Sequence, residues 1–340
     1  MKLTNIIFLI FILFSSKLFA DDNIKFNEWK KNFKKLALSN NISEKTFDVA
    51  MANVKFLPKV IEYDRYQPEF YEDTKTYISK RTSKKKVKKG YSFYNKNIGL
   101  INDVEKKYNV EKELLLSLMG IETNYGTYVG KMDILSSLAT LSFDKRRSEF
   151  FTKELIQILQ LIESGVIDKN LLYGSWAGAF GNFQFMPTTI NNYAIDYNLD
   201  GEIDLKSIND SFASAANYIN KLGWNKNEPC YLKIDLIKDT PINLLNTSAK
   251  EIKNKKTLKK IKKYIKNSDN IKFNEKLMVG IITPDKDIVE NSKLLEPAFI
   301  VFNNYELILK WNRSLRFGLA VCNLKNRFKK KLLKISHFIF

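Results

Sequence analysis

At 340 residues with 44% apolar content, the chain can hold one large domain or two to three smaller ones around a shared core. Its formal charge of +19 favours an anionic partner, although Lys and Asn spread along the whole chain fit an AT-rich coding sequence equally well. The single histidine, His337, lies near the C-terminus, which all but excludes Ser-His-Asp, Cys-His and histidine-zinc chemistry and leaves carboxylates, hydroxyls and amides.

Residues 1–20 read as a signal peptide: Lys2 is the positive end, Ile6 to Phe14 is unbroken apolar sequence, and Ala20 precedes Asp21-Asp22. The run is too short to span a bilayer comfortably, so export to the periplasm is expected and a stable membrane anchor is not. Export also argues against nucleic acid as the partner. A helical N-terminal region over 21–95 follows. Its helices are expected at Asn27–Leu38 and Ser43–Val54, with a Pro-containing segment from Leu57 to Phe70. Lys75 to Tyr108 reads as basic helix, with Lys84-Lys85-Lys86 and Lys88-Lys89 as a solvated face.

A core over 96–228 is next. Leu114, Leu115, Leu118, Met119 and Ile121 recur at helical spacing through Glu111–Thr123, and Gly126 suits the helix stop. Glu122 falls on the face of Leu115, Leu118 and Met119, so its carboxyl should look inward at the helix end. Burial and the negative end of the helix dipole both raise a carboxyl pKa, as a general acid requires. Spacing alone fits a solvated helix-end glutamate just as well.

Lys145–Ser164 is a further amphipathic helix. Gly178 to Pro187 is a Gly- and aromatic-rich loop in which Gln184 has the chemistry of a sugar subsite; such loops also simply pack corners. From Asp196, oxygen-bearing residues at positions 1, 3 and 5 (Asp196, Asn198, Asp200), then Gly201 and Ile203, follow a calcium-loop spacing, with Glu202 and Asp204 beside them. Ser207 stands where a bidentate carboxylate is usual, Asp204 and Asp210 are substitutes, and an Asx-rich turn is the metal-free alternative. Phe212–Leu222 is helical. Over 229–323, Tyr231, Ile234, Leu236 and Ala298–Phe302 suggest a small β element, Glu251–Lys266 a Lys-rich surface helix, and Ser314 onward a closing helix that runs into a basic tail, 324–340. Cys230 and Cys322 are far apart in sequence; in an oxidising compartment they could pair, but no dense disulfide framework exists, and two isolated buried cysteines are the preferred reading.

Four segments taken together resemble the lytic murein transglycosylases of the membrane-bound lytic transglycosylase B type, within the lysozyme-like superfamily. They are Gly120-Ile-Glu-Thr-Asn-Tyr-Gly126, Leu138-Ala-Thr-Leu-Ser-Phe-Asp144 with Arg146-Arg147, Gly174-Ser-Trp-Ala-Gly-Ala-Phe-Gly181 through Gln184-Phe-Met-Pro187, and Leu307-Ile-Leu-Lys-Trp-Asn-Arg-Ser314. The resemblance runs from about Asn27 to about Asn323. It implies a mostly helical, lysozyme-like α+β fold and a groove for the N-acetylglucosamine–N-acetylmuramic acid strands of peptidoglycan, with other cell-wall enzymes as candidate partners. It makes Glu122 the catalytic acid and base of a lyase that leaves 1,6-anhydro ends. It also makes Tyr77, Ser175, Gln184, Tyr218 and Asn312 substrate-binding residues. No cofactor is required for that reaction, and the loop of Asp196, Asn198, Asp200 and Glu202 becomes a candidate structural calcium site. Phe180 replaces the usual Met, and Trp311 stands where Tyr is common, which removes a hydroxyl contact. A hydrolytic muramidase on the same fold and a catalytically silent wall-binding protein are the rival readings.

Overall fold

Ile134–Phe143 carries no charge, its only polar side chains are the small hydroxyls of Ser136, Ser137, Thr140 and Ser142, and it lies inside the protein. The computed structural model describes residues 3–68, 71–286 and 288–336. Lys2, His337, and the side chains of residues 3–20, Leu171 and 334–336 lie outside the described ones. The described chain divides into two compact units: residues 1–65, 129–192 and 200–203 form the first, and residues 66–128, 193–199 and 204–340 the second. The fold is mostly helical with a small sheet, as expected.

The first unit contains α1 (Leu3–Leu38), α2 (Glu44–Met51), α3 (Pro58–Arg65), the two-residue strand β1 (Met132–Asp133), α8 (Ile134–Phe143), α9 (Ser148–Glu163), β2 (Tyr173–Gly174) and all but the last residue of α10 (Pro187–Tyr193), Tyr193 belonging to the second unit. Helix α8 is its axis. Asp133 caps it by accepting from Ser136 N, every residue from Ile134 to Ser142 is buried, and α1, α3 and α9 pack around it. Phe143 at its end meets the rings of Phe26 and Phe56, each 5.6 Å away and edge-on. Buried Asp64 on α3 accepts from both Arg146 and Arg147, which ties the start of α9 to α3. Leu57–Phe70 thus contains a helix that the sequence left undefined, with Pro58 at the first helical position, where its missing N–H costs nothing.

The second unit contains α4 (Thr74–Arg81), α5 (Lys84–Lys96), α6 (Ile98–Tyr108), α7 (Lys112–Glu122), α11 (Ile208–Lys221), β3 (Tyr231–Ile234), β4 (Leu245–Asn246), β5 (Lys256–Thr257), α12 (Leu258–Lys262), β6 (Met278–Ile282), β7 (Ala298–Val301), α13 (Asn303–Trp311) and α14 (Leu315–Ser336). The expected helix over Lys75–Tyr108 is three helices. Ser83 restarts the chain by accepting from Lys86 N, and Asn97 ends α5. The expected helix over Glu251–Lys266 shrinks to β5 and α12, because Leu258 and Ile261 anchor only one turn to the sheet. Strand order is β3-β7-β6-β4 with β5 on β6, antiparallel except for β4 on β6. Ile234, Val279, Ile281 and Ile300 build a core with Leu258 and Ile261.

The two cysteines are not isolated: Cys230, just before β3, is disulfide-bonded to Cys322 on α14, across 92 residues. The sequence could not show that the entry to β3 folds back beside α14. Among the described residues no helix is long and apolar enough to cross a membrane.

Candidate active site

Leu114 to Gly120 are all buried, so α7 is held along its length, principally against α14. Each of its leucines contributes roughly 1.5–3 kcal/mol by leaving water. The helix stops abruptly beyond Glu122. Asn124, Tyr125 and Gly126 take φ of 50°, 62° and 73°, and Thr123 Oγ1 accepts from Gly126 N at 3.0 Å. The left-handed run turns the chain away and leaves Glu122 as the last helical residue, half-buried.

Two lysines on α5 grip that end. Lys86 Nζ donates to the carbonyl of Gly120 at 2.6 Å, and Lys89 Nζ donates to the carbonyl of Asn124 at 2.8 Å. In return Tyr125 OH donates to the carbonyl of Lys86 at 3.3 Å, and a Cβ on Gly90 or Gly120 would strike that phenol. Burial, with Arg81 and Lys89 nearby, holds the Lys86 ammonium below the usual lysine range. The lysine run is therefore not one solvated face: Lys84, Lys85 and Lys88 are exposed, whereas Lys86 and Lys89 cap α7.

Above α7, the indole Nε1 of Trp311 donates to Glu122 Oε1 at 3.0 Å. Trp311 ends α13 and stacks on Tyr218 of α11 at 5.1 Å, and Tyr218 stacks on Tyr193 at 4.3 Å. Tyr218 OH donates to the carbonyl of Lys310 at 3.2 Å. Burial pushes the Tyr218 phenol up to about 12, with Tyr193 adding, so it stays a donor at any physiological pH. Sequence reasoning treated Trp311 only as a lost hydroxyl. Its neighbour Asn312 was the available signal, since both occupy the turn that ends α13.

Asn312 is the C-cap of that helix and half-buried; its carboxamide has no protein partner among the described residues. Tyr77 is buried at 1% exposure, with the Arg81 guanidinium 3.5 Å from its ring centre. Glu122, Trp311, Tyr218, Asn312 and Tyr77 belong to the second unit, and Ser175 and Gln184 to the first.

In the first unit Ser175 Oγ accepts from the N–H of Ala177 and Ala179, which closes the glycine loop on itself. Gly178 takes φ +84°, and a Cβ there would lie 2.4 Å from Leu138 Cδ2, so only glycine fits. Phe180 and Phe185 exchange backbone hydrogen bonds around a four-residue loop ending in Gln184, at φ +51°. Gln184 Nε2 donates to the carbonyls of Val129 and Gly181, which orients the amide and leaves Oε1 to accept from a ligand.

Between Asp196 and Ser207, the chain is fastened by buried Asp210, which accepts from Tyr197 N and Asp204 N, both at 2.9 Å. Ser207 accepts from Asn209 N as the N-cap of α11. No group of three or more His, Cys, Asp or Glu side chains gathers to hold a metal among the described residues.

The family model of the transglycosylase SLT domain matches residues 25–326. The chain belongs to that family. It is 39% identical to the membrane-bound lytic murein transglycosylase B of Escherichia coli K12 over 143 residues, 42% of this chain. That match spans 40% of the relative's length. SltB3 of Pseudomonas aeruginosa, solved with NAG-NAM-pentapeptide, superposes with a TM-score of 0.77 at 31% identity, covering 89% of this chain and 79% of that one. The E. coli lytic transglycosylase Slt35, solved in complex with calcium, shares the fold at a TM-score of 0.72 and 24% identity, covering 91% and 94%. The matched range includes Glu122 at the end of α7 in the second unit and the loop of Gln184 in the first.

Proposed function

We propose that this protein is a peptidoglycan lytic transglycosylase in which Glu122 serves first as acid and then as base. The observation that carries the reading is the half-buried Glu122 carboxyl at the end of α7, oriented through one oxygen by the indole N–H of Trp311. A carboxyl held in this way can deliver a proton to a bound sugar with little reorganisation.

Glu122 protonates the oxygen between N-acetylmuramic acid and N-acetylglucosamine, and the C1–O bond breaks. The substrate's own N-acetyl group stabilises the electron-poor C1. The Glu122 carboxylate then takes the proton of the muramic C6 hydroxyl while O6 bonds to C1, which closes the 1,6-anhydro ring and returns Glu122 to its starting state. No water is consumed, so one carboxyl suffices where glycosidases use two. Tyr77, Ser175, Gln184, Tyr218 and Asn312 are assigned to glycan binding. Gln184 Oε1 and the Asn312 carboxamide are the groups with hydrogen-bonding capacity to give.

The protein is assigned to the periplasm, with its leader removed after Ala20. Its chemistry needs no metal. A structural calcium ion on Asp196, Asn198, Asp200 and Glu202 is a separate proposal, supported by their oxygen spacing. It stands if calcium raises the melting temperature by several degrees over chelator, and coincident curves remove it.

Digestion of purified sacculi followed by product mass measurement tests the reaction. Lytic cleavage gives muramic ends lighter by one water than hydrolysis does, and products at the hydrolytic mass would make the protein a muramidase. Glu122→Gln should keep its fold and lose at least about a thousandfold in rate. Substantial turnover in that variant would overturn the role of Glu122.

A further inference from the structure

A cavity of about 630 Å³ lies within the second unit; of the residues assigned to the glycan only Tyr77, on α4, is close in sequence to its lining, and Tyr77 does not itself line it. The first turns of α4, strands β3 and β7, and Asn323 and Arg327 of α14 line it. Its inner wall is tied together at one buried carboxylate. Buried Asp285 accepts from Thr74 N and from Arg316, both at 2.9 Å, which fixes α4 and α14 to one carboxylate. On another wall Arg327 Nε donates to Asn323 Oδ1, and Asn323 Nδ2 donates to the Tyr231 phenol.

The charges around the opening do not balance. Asp285 is neutralised by Arg316, and Glu296 is paired with Lys293 at 3.3 Å. Lys75, Lys233 and Arg327, from three different elements, have no carboxylate partner among the described residues, and Asp235 has no cation. Three cations against one carboxylate favour an anionic ligand.

The backbone supplies a second feature. β3 is the outer strand of the sheet. Cys230 O accepts from Phe302 N, so by antiparallel alternation the main-chain groups of Leu232 and Ile234 pair with β7. Those of Tyr231 and Lys233 therefore face the outer edge, where they have no backbone partner among the described residues; beyond them the same edge is occupied, with Asp235 O accepting from Lys266 N and Ile237 N donating to Tyr264 O. An open edge beside a pocket is the arrangement that takes an extended peptide as an added strand, with main-chain bonds for affinity and pockets for its side chains.

We propose that this cavity and the β3 edge bind a short, extended, acidic peptide, its carboxylates held by Lys75, Lys233 and Arg327. This rests on the proposed function, under which the substrate's own stem peptides are the occupant. Asp235 would take an ammonium group of such a peptide, and the Phe299 and Ile78 side chains its apolar body.

The test is calorimetric titration of the full mature chain with a glycan-free stem pentapeptide, N-acetyl-Ala-γ-Glu-diaminopimelyl-Ala-Ala in stem stereochemistry with a free C-terminus, which carries three carboxylates and one ammonium group. The wild type should bind it. Lys233→Glu and Arg327→Glu, both at exposed positions, should weaken binding at least about tenfold with unchanged circular dichroism. In the same variants the ratio of turnover on peptide-bearing over peptide-free glycan should fall. Absence of binding by the wild type, equal binding by the variants, or displacement of the peptide by equimolar inorganic phosphate would each overturn the proposal. The masses of wild-type sacculus products report on the transglycosylase reading independently, so the two can fail separately.

Discussion

The indole N–H of Trp311 rests 3.0 Å from Oε1 of Glu122, and the two residues are 189 positions apart in the chain. The bond joins the end of α13 to the end of α7, and the Tyr193–Tyr218–Trp311 stack keeps the indole from turning away. Both helix ends are thereby indexed to the carboxyl. Trp311→Phe retains the stack and deletes the donor. A hydrogen bond to a charged group is worth about 1.5–3 kcal/mol, so kcat on purified glycan should fall roughly ten- to a hundredfold with little change in melting temperature. A variant with full kcat would show that the indole only packs.

Lys86 provides a different check on the same helix end, because positioning and stability separate there. Its ammonium binds the Gly120 carbonyl but is costly to bury. Lys86→Met removes both effects, so stability near neutral pH should move little while kcat drops several-fold. The pH dependence has a definite sign. The folded pKa of Lys86 is depressed and the unfolded one is ordinary, so between them the unfolded chain binds more protons and wild-type stability rises with pH through that window. The Lys86→Met variant should lack this component of the slope. Urea midpoints measured from neutrality to pH 10 in both proteins test it; parallel curves would remove the claim.

The apolar spacing of Leu114 to Met119 was readable as helix and placed Glu122 at its end, although every residue from Leu114 to Gly120 is buried and not one face alone. The burial of helix α8 on all sides was not readable in that way, since its Ser136, Ser137, Thr140 and Ser142 look like a polar face in sequence and are buried in the fold. The break at Ser83 was carried by a single capping hydroxyl within a run of lysines, where charge pattern dominated the reading. Lys86 and Lys89 look identical to Lys84 and Lys85 in sequence, and only the position of the Gly120 and Asn124 carbonyls distinguishes them. Gln184 stood out through the glycine loop around it and Ser175 only through the family resemblance, whereas Trp311 was passed over because its partner is so far along the chain.

The Cys230–Cys322 bond makes a large prediction from simple chain statistics. Closing a loop with a sequence separation of 92 restricts the unfolded chain by an amount worth about 4–5 kcal/mol in the chain-entropy model. Reduction, or the double Cys→Ala variant, should lower the unfolding free energy by that order. Glu122 lies outside the disulfide, so turnover at low temperature should persist. Denaturant curves with and without reductant decide the first part, and a zymogram of the reduced protein the second.

Asp210 offers the sharpest test of how the acidic loop is held. Its carboxylate is 1% exposed and accepts one backbone N–H on each oxygen, from Tyr197 and Asp204. Only an acceptor with two free oxygens fits this position. Asp210→Asn replaces one acceptor by an NH2 group aimed at an N–H donor, whereas Asp210→Ala leaves both donors without a partner. Unsatisfied buried donors cost about 1–3 kcal/mol each, so both variants should be destabilised, the alanine more so. The effect should be local. Hydrogen exchange at the Tyr197 and Asp204 amides should accelerate before exchange in α7 does. Uniform acceleration across α7 and α11 would instead make Asp210 part of the global core.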